Sequence, residues 1–420
     1  MKVVWVTNIL FGHHLDMMGV LDKSVKGGSW LYAAYDGIKD RTDIELHIVT
    51  VANIPARRSE KFENSYFYLL PGGGRPDYDI SSPSNIKEWE HLYREISPDI
   101  MLVWGTESRH AYLAMKIMKD IPRLIYVQGV INSIVNHYYD GVPMMYRYNS
   151  LRDIVNIFYK KSQLNIYKRQ TPLEREMFKM AQGVIAENDW CESICKNFNF
   201  SLSVYRDKLP IRDVFLQSSW SIEKGEEYSI FTNAGGYPIK GHHILFKALA
   251  LVKKVYPQFK CYIPGDPISD LDCVKRRTGY VKYLKNLIKE GELENNIIYV
   301  GPLSSEDMAK RLETSSLFVM PSLVENHSSS LIEAMVVGLP CISSFVGGVS
   351  NVVNNKFNGL LYNSLDYESL AGCIIKIFND KSLASSLSNR AIEIKKERMI
   401  DFGGDMVLIY KSLMNQIYEE

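Results

Sequence analysis

Residues 319–343 read VMPSLVENHSSSLIEAMVVGLPCIS, and this stretch decides the fold of the chain. The apolar run Leu317–Met320 predicts a short buried strand, which ends at a Pro-Ser pair before a polar loop. Apolar residues then recur at helical spacing as far as Gly338, where a Gly-Leu-Pro sequence ends the predicted helix and another strand begins. These elements form one βαβ unit of a parallel sheet. Because such sheets bind ligands at the carboxyl ends of their strands, the polar loop is a candidate site.

Two glutamates frame this loop. Glu325 lies in the loop and Glu333 follows eight residues later in the predicted helix. The residues between them, at the start of the helix, are Asn326, His327, Ser328, Ser329 and Ser330. Backbone N–H groups at a helix N-terminus bind phosphate, and a carboxylate accepts hydrogen bonds from sugar hydroxyls, so the spacing suits a ligand with a sugar, a phosphate and a ribose in sequence. Two structural alternatives stay open: Ser330 and Glu333 have the spacing of a capping box, and Glu325 also fits a solvated loop residue.

The segment 321–353 resembles the donor-site signature of the retaining glycosyltransferases of family 4, which have the GT-B fold. Those enzymes carry Glu-x7-Glu followed by Ala-Met and Gly-x-Pro, and this chain has Glu325, Glu333, Ala334-Met335 and Gly338-Leu339-Pro340. The resemblance implies transfer of a sugar from a UDP- or GDP-sugar, with retention of anomeric configuration, to a glycan or lipid-linked acceptor. Glu325 and Asn326 would then hold the donor sugar, the amides of Ser328–Ser330 its phosphates, and Glu333 the ribose.

The composition limits the number of domains, the classes of partner and the location of the protein. A chain of 420 residues with 46% hydrophobic content can bury two cores, so we expect two domains. The net charge of +1 gives no general attraction to nucleic acid. The six cysteines include no CxxC pair, the start lacks a signal-peptide cleavage region, and no apolar run has membrane-spanning length. These features predict a cytoplasmic, reducing location as the default. The resemblance implies that the protein needs no metal or other cofactor besides its nucleotide-sugar substrate.

Strand and helix patterns alternate along the chain, which predicts an α/β fold. With the resemblance, the expected architecture is GT-B, two Rossmann-like doubly wound parallel-sheet domains facing a central cleft. The predicted divisions are a first domain 1–217, a linker 218–226, a second domain 227–399 and a C-terminal helix 400–420. In GT-B enzymes such a helix crosses back to the first domain. The predicted strands are Lys2–Leu10, Ile44–Val51, Tyr66–Leu70, Asp99–Trp104, Leu124–Val127, Gly183–Glu187, Tyr228–Asn233, Lys260–Ile263, Asn296–Val300 and Leu317–Met320.

Further donor-side candidates lie after other predicted strands. Lys240 precedes Gly241 at a helix start, where an ammonium can neutralise a diphosphate without a metal. It matches the phosphate-binding Lys-Gly of the family, in which Lys240 would share catalysis with Glu325. The arginine that usually stands about five positions earlier is replaced by glycine. The resemblance also assigns Gly27 and Gly28 to the donor phosphates. Pro302 and Leu303 are assigned to the nucleotide base.

Acceptor-side candidates come from the predicted first domain. Glu107 and Gln128 follow predicted strands, and Glu107 is either a base or a solvated glutamate. Many relatives have a histidine near the place of Gln128. Tyr138 lies in the tyrosine-rich stretch 132–149, whose rings either stack on sugars or pack on one another. The stretch 175–190 is similar to family members that make bacterial surface polysaccharides.

A helix is predicted over 151–169, with Leu151, Ile154, Val155 and Phe158 on one side. Four basic residues follow near its end: Lys160, Lys161, Lys168 and Arg169. Such a helix can touch an anionic membrane that carries a lipid-linked acceptor. Cations near a helix C-terminus are also expected on dipole grounds alone. Peripheral contact at the inner face of the membrane is thus one hypothesis for this segment.

Three alternatives compete with the transferase hypothesis. A metal-dependent enzyme would use a DxD pair, either Asp77 with Asp79 or Asp270 with Asp272, although both pairs follow turn sequences and are interpreted as turn carboxylates. A nucleotide-sugar epimerase can share the same architecture and would need no acceptor. A catalytically silent nucleotide-sugar-binding protein is the third alternative, because the Asn-His-Ser loop and the missing arginine depart from the family.

Overall fold

The computed structural model describes residues 1–20, 29–73, 77–158, 162–233, 235–268 and 278–418. Contacts divide the chain into two compact units. The first comprises Met1–Asn132, Ile166–Pro210 and Met399–Glu420. The second comprises Ser133–Asn165 and Ile211–Arg398. Each unit is built on its own sheet.

The described part of the first unit contains a sheet of eight strands in the order β3-β4-β2-β1-β5-β6-β7-β8. The strands are β1 (Lys2–Thr7), β2 (Glu45–Val51), β3 (Arg58–Phe62), β4 (Ser65–Leu70), β5 (Ile100–Trp104), β6 (Arg123–Tyr126), β7 (Gly183–Ile185) and β8 (Ser203–Tyr205). All pairings are parallel except that between β3 and β4. Its helices are His13–Met17, Ser29–Asp36, Pro83–Ile96, Arg109–Ile117, Ile131–His137, Gln163–Met180, Asp189–Phe198 and Phe402–Tyr418, of which Ile131–His137 and Gln163–Met180 cross the boundary with the second unit.

The second unit has a parallel sheet of six strands in the order β11-β10-β9-β12-β13-β14 within the described ranges. They are β9 (Ser229–Thr232), β10 (Lys260–Ile263), β11 (Ile297–Tyr299), β12 (Leu317–Met320), β13 (Cys341–Ser344) and β14 (Leu360–Tyr362). The α-helices are Met144–Arg147, Leu151–Phe158, Asp213–Gln217, His242–Lys253, Gly279–Glu290, Ser305–Thr314, Ser329–Val337, Tyr367–Asn379 and Lys381–Ala391. Shorter 3₁₀ turns are Pro238–Lys240, Gly347–Asn351 and Ile392–Arg398.

The first sheet is buried on both faces, as its sequence requires. Val3 and Trp5 of β1 join one hydrophobic cluster, and Val4 and Val6 join another. Successive side chains of a strand point to opposite faces, so a continuous apolar run such as this one is typical of a central parallel strand. In the second unit the four residues of β12 are likewise fully buried. The central strands therefore hold the sheets rigidly behind the loops at their carboxyl ends.

The predicted doubly wound parallel sheets are confirmed, and each predicted strand lies within three residues of an observed one. The sequence analysis missed β3, β8 and β14. All five residues of β3 are exposed, so the strand has no apolar alternation to reveal it, and it is antiparallel where a parallel sheet was predicted. None of the helices in the described ranges is long and apolar enough to cross a bilayer.

The division of the chain differs from the predicted one. Residues 133–165 group with the second unit, and that unit resumes at Ile211. Within the predicted linker 218–226, Trp220 is buried, its backbone N–H donates to the carbonyl of Val337 and its indole N–H to that of Ser315. The predicted helix 151–169 is also wrong in its extent, since it is replaced by the helices Leu151–Phe158 and Gln163–Met180.

The last helix belongs to the first unit, where it packs on β1. The indole Nε1 of Trp5 donates to the hydroxyl of Tyr410 over 2.9 Å, and both side chains are fully buried. Gly403 lies in the first turn of this helix, where a Cβ would stand 2.4 Å from the carbonyl oxygen of Gly37. Close approach of the two backbones requires glycine at this position.

Tyr410→Phe should lower the free energy of unfolding by about 1–3 kcal/mol, because the indole N–H of Trp5 would stay buried without its acceptor. Urea denaturation of the full chain measures the change. Leu408→Ala on the same helix is the matched control, since Leu408 is 65% exposed and its truncation should cost less than about 0.5 kcal/mol. Equal stability of the two variants would contradict this role for Tyr410.

Candidate functional site

The site of the second unit begins where two neighbouring central strands end. Asn233 follows β9 and Ser322 follows shortly after β12, and the side-chain amide of Asn233 donates to the Ser322 hydroxyl over 3.3 Å. The Ser322 hydroxyl in turn donates to Oε1 of Glu325 over 2.7 Å. This chain of hydrogen bonds fixes the Glu325 carboxylate at the carboxyl edge of the sheet, as the sequence predicted for the loop.

Lys240 reaches the same carboxylate from the turn after β9. Its Nζ lies 2.7 Å from Oε1 of Glu325, and the two side chains are 24% and 12% exposed. The turn can lie against the end of β12 because Gly241 has φ +71° and a Cβ there would stand 1.8 Å from the carbonyl oxygen of Pro321. The structure therefore brings together two residues that the sequence analysis had assigned to different parts of a ligand.

The backbone of the loop is held from a second side. The amide of Gly348 donates to the carbonyl of Glu325 over 3.0 Å. Gly347 has φ +51°, and a Cβ on it would lie 1.9 Å from that same oxygen. The Gly347-Gly348 pair thus belongs to a 3₁₀ turn that clamps the loop rather than to a simple surface turn. The carboxylate and the backbone of Glu325 are both positioned by neighbours.

The helix after this loop begins at Ser329, and Ser328 is its N-cap. The Ser328 hydroxyl accepts a hydrogen bond from the amide of Leu331 over 3.4 Å, so the alternative of a capping box formed by Ser330 and Glu333 is wrong. Of the other loop residues Asn326 is buried, whereas His327, Ser329 and Ser330 are partly exposed. The backbone donors of a first helical turn and the helix dipole make this terminus suited to an anion.

Glu333 is buried inside the unit and pairs with an arginine that the sequence analysis missed. Nη2 of Arg212 lies 2.7 Å from Oε1 of Glu333, and the other end of the guanidinium donates to the hydroxyl of Ser305. Burial raises the pKa of Glu333 and the charge of Arg212 opposes that rise. Arg212 is 121 positions away in sequence and lies in a stretch without clear periodicity, so no local pattern pointed to it.

The candidates for base contact lie at the edge of the same sheet. Gly265 and Gly301, which follow β10 and β11, form an antiparallel bridge through the amide of Gly265 and the carbonyl of Gly301. Pro302 is exposed and Leu303 is partly buried after this bridge. Leu303 stands two residues before Ser305, so the chain connects this turn directly to the contact between Ser305 and Arg212.

A second polar cluster lies in the first unit at the ends of β1, β5 and β6, which are neighbours in the sheet. The side-chain amide of Asn8 donates to Gln128 over 2.9 Å and to Glu107 over 3.3 Å. Gly105 has φ +79°, and a Cβ there would lie 2.0 Å from the Glu107 carboxylate. Burial, with the charge of Glu174 as a smaller cause, raises the pKa of Glu107 to about 7. Glu107 and Gln128 therefore do share a site, and Asn8 joins them.

Other predicted positions are not brought to these clusters. Tyr138 is buried and packs edge-on against Tyr139 at 4.9 Å, so its ring offers no face to a sugar. Gly27 and Gly28 lie outside the described residues, as do Asp270 and Asp272. Asp77 faces Arg169, whereas Asp79 accepts hydrogen bonds from the amide and hydroxyl of Ser81, which is the behaviour of turn carboxylates.

Comparison with known proteins relates part of the second unit to a known family. Residues 216–394 match the family described as Glycosyl transferases group 1. The match covers less than half of the chain and lies within the second unit. A stretch of 77 residues is 36% identical to the Escherichia coli UDP-Gal:alpha-D-GlcNAc-diphosphoundecaprenol alpha-1,3-galactosyltransferase, which covers 18% of this chain and 20% of that protein. The chain thus matches well under two thirds of the length of such curated relatives.

Solved structures extend the similarity to the whole chain at the level of the fold. Sucrose-phosphate synthase from Thermosynechococcus elongatus superposes with a TM-score of 0.70 at 16% identity, covering 99% of this chain and 100% of that one. Anabaena Alr3699/HepE in complex with UDP and glucose gives a TM-score of 0.66 at 17% identity, covering 98% and 100%. The predicted GT-B fold, with two Rossmann-like units, is confirmed.

Arg212→Ala should destabilise the second unit most at high pH. Without the guanidinium the folded-state pKa of Glu333 rises further above the ordinary value of about 4.3, so stability is lost as pH increases from there towards the raised pKa. We expect a loss of about 1–3 kcal/mol at pH 8 and a smaller one at pH 5, measured by denaturant unfolding.

Two further variants separate this effect from general damage. Glu333→Gln in the Arg212→Ala background should recover part of the loss at pH 8, because a neutral amide needs no counter-charge. Arg311→Ala is the matched control, since Arg311 lies 3.9 Å from a half-exposed glutamate, Glu226, and its removal should change little. A pH-independent loss in Arg212→Ala that the second substitution does not reduce would contradict the pairing.

Glu107→Gln should flatten the decline of stability between pH 5 and pH 8. The folded-state pKa of about 7 lies above the ordinary glutamate value, so the wild type loses stability as pH rises through this window, by at most about 3 kcal/mol. The measurement is the unfolding midpoint in urea at several pH values. Glu176→Gln, at a half-exposed site beside Lys179, is the control and should keep the wild-type slope. An unchanged slope in Glu107→Gln would argue against the raised pKa.

Proposed function

We propose that this chain is a retaining glycosyltransferase that moves a sugar from a UDP- or GDP-sugar to a glycan or lipid-linked acceptor. The observation that carries the proposal is the ion pair of Lys240 and Glu325 at the carboxyl ends of β9 and β12, beside the N-terminus of the helix Ser329–Val337. The family match of residues 216–394 supports a nucleotide-sugar role for this arrangement. The complex of HepE with UDP and glucose, and the UDP-Gal in the name of the E. coli relative, support the donor class.

The proposed chemistry uses the ion pair as an exchangeable contact. The diphosphate of the donor competes with Glu325 for the Lys240 ammonium, and the helix N-terminus adds backbone donors to the same charge. Glu325 then accepts hydrogen bonds from sugar hydroxyls, together with Asn326. The bond from the anomeric carbon to phosphate breaks with its electron pair on the nucleoside diphosphate, and the acceptor oxygen bonds to that carbon on the same face. The acceptor's proton passes to the departing phosphate, whose charge Lys240 stabilises.

The remaining residues take positioning roles in this proposal. Arg212 binds Oε1 of Glu333, and we assign Oε2 to the ribose hydroxyls. Pro302 and Leu303 are assigned to the base. Glu107 and Gln128 are assigned to the acceptor, and a pKa of about 7 suits Glu107 to exchange protons near neutral pH.

The type of acceptor, the biosynthetic role, the contact with the membrane and the independence from metal ions are also part of the proposal. The diphosphoundecaprenol in the name of the E. coli relative supports a lipid-linked acceptor and a role in bacterial surface polysaccharide synthesis. Peripheral contact with the inner face of the cell membrane would bring such an acceptor within reach. The reaction is proposed to need no divalent metal, since Lys240 supplies the charge on the diphosphate side.

Lys240→Ala should abolish the stabilisation of the protein by its donor nucleotide. Thermal unfolding is measured with UDP, GDP and their sugars, and a ligand at a hundredfold excess over its Kd adds about 2.7 kcal/mol to the wild type. Lys381→Ala is the matched control, because Lys381 also pairs with a glutamate, Glu227, but on the exposed surface. It should keep the shift. Absence of any nucleotide shift in the wild type would contradict the donor site.

Product analysis separates the transferase from an epimerase. With the stabilising nucleotide sugar and a polyprenyl-diphosphate-sugar acceptor, the new linkage should keep the anomeric configuration of the donor, as read by NMR. Omission of the acceptor should stop sugar conversion, whereas an epimerase would continue. Transfer should persist in EDTA, and a complete loss that Mg²⁺ restores would contradict the metal-independent reaction.

A further inference from the structure

The segment from Met144 to Phe158 in the second unit presents large apolar side chains to solvent. Its exposed members, with their exposed fractions, are Met144 (75%), Met145 (66%), Tyr148 (43%), Leu151 (73%), Ile154 (58%), Val155 (51%) and Phe158 (80%). We call these seven residues the apolar stripe. Four of them, Leu151, Ile154, Val155 and Phe158, lie at positions i, i+3, i+4 and i+7 of the helix Leu151–Phe158, which is the spacing of one helix face, and the other three lie on or just after the preceding helix Met144–Arg147. Single exposed apolar residues are ordinary on protein surfaces, but a row of this length marks an interaction surface.

A buried carboxylate explains why the stripe faces outward. Asp153 lies in the middle of the segment and is only 8% exposed. Its Oδ2 accepts the backbone N–H of Gly279 over 2.6 Å, at the start of the helix Gly279–Glu290. This contact satisfies an orphan donor of that helix and places a negative charge at the positive end of its dipole. The helix Leu151–Phe158 therefore turns its acid inward and its apolar residues outward, the reverse of a surface helix that packs on a core.

Further contacts fix the segment in this orientation. The ring of Tyr146 stacks on Tyr283 at 4.8 Å, and its hydroxyl accepts a hydrogen bond from Asn286 over 2.8 Å. A Cβ on Gly279 would stand 2.2 Å from the carbonyl oxygen of Tyr146, so the two backbones touch. These aromatic, polar and backbone contacts hold the side of the segment opposite the stripe. The stripe is therefore exposed although the segment itself is packed in place.

The sequence around the stripe carries more basic than acidic residues. The only acidic residue between 143 and 161 is Asp153, which is buried. The basic residues of the same span are Arg147, Arg152, Lys160 and Lys161, of which the last two lie outside the described residues. Arg152 is exposed beside Leu151, and Lys282 binds the carbonyl of Asn149 from the neighbouring helix. An apolar row flanked by cations matches a lipid surface with anionic headgroups.

We propose that the apolar stripe inserts into the interface of an anionic bilayer, with the helix Leu151–Phe158 parallel to the membrane plane. Leu151, Ile154 and Phe158 enter the boundary between headgroups and acyl chains, and Arg152 contacts the headgroups. The proposal deepens the peripheral membrane contact of the proposed function and rests on that part of it. It does not depend on the transfer reaction, because a lipid surface is recognised here by apolar area and charge alone.

The test is sedimentation of the full chain with vesicles of phosphatidylcholine, with or without 30% phosphatidylglycerol. The stripe variant is Leu151→Asp with Phe158→Asp. Its control is Leu408→Asp with Phe200→Asp, which changes the same residue types at matched exposure, 65% and 78% against 73% and 80%. We expect the wild type and the control to bind the anionic vesicles, and the stripe variant to bind at least about tenfold more weakly. Arg152→Glu should weaken binding to anionic vesicles only.

Folding and donor binding are checked in the same preparations. All variants should keep the wild-type unfolding midpoint and its shift with nucleotide, so that loss of vesicle binding and loss of the donor site are distinguished. Equal binding by the stripe variant and its control would overturn the proposal, and so would equal binding of the wild type to neutral and anionic vesicles. Failure to bind vesicles, with a dimer in sedimentation equilibrium that the stripe variant loses, would instead identify a second copy as the occupant.

Discussion

The ion pair of Lys240 and Glu325 is the interaction on which the site of the second unit depends. Both side chains are mostly withdrawn from water, and Nζ of Lys240 lies 2.7 Å from Oε1 of Glu325. Leaving one of them unpaired would be costly, so a ligand that takes the ammonium must also give the carboxylate new hydrogen-bond donors. A bare phosphate supplies only the first of these, whereas a sugar attached to a phosphate supplies both. The ion pair therefore favours a ligand that carries both a phosphate and hydrogen-bond donors.

The same arrangement recurs in both units, because in both the polar residues follow the carboxyl ends of central parallel strands. In the first unit these are Asn8, Glu107 and Gln128 at the ends of β1, β5 and β6. The strands behind them are buried except at their first residues, Lys2 and Arg123, and cannot shift without disturbing a packed core. Rigid strands position the polar groups, and the short loops add the chemistry.

Sequence reasoning succeeded where a signal was local. The strand, loop and helix around Glu325 follow from apolar spacing and from Gly338, and the βαβ unit was found where it was predicted. Arg212 was missed because its partner Glu333 lies far away in sequence and only folding joins them. The exposed edge strand β3 was missed because its side chains carry no burial pattern. Hydrophobic periodicity identifies elements that face a core. It does not reveal polar pairs between residues far apart in sequence, or edge strands whose side chains are exposed to water.

The glycines around the Glu325 loop have a consequence for how this site could diversify. Gly241 and Gly347 each touch a neighbouring carbonyl so closely that no larger residue fits, so the path of the backbone is fixed from both sides. Asn326 and His327 follow Glu325 on that path. A change of ligand preference at this loop would therefore have to come from its side chains, because the two glycine contacts leave its backbone no room to move. The backbone contacts fix the position of this loop, and its side chains determine what it can bind.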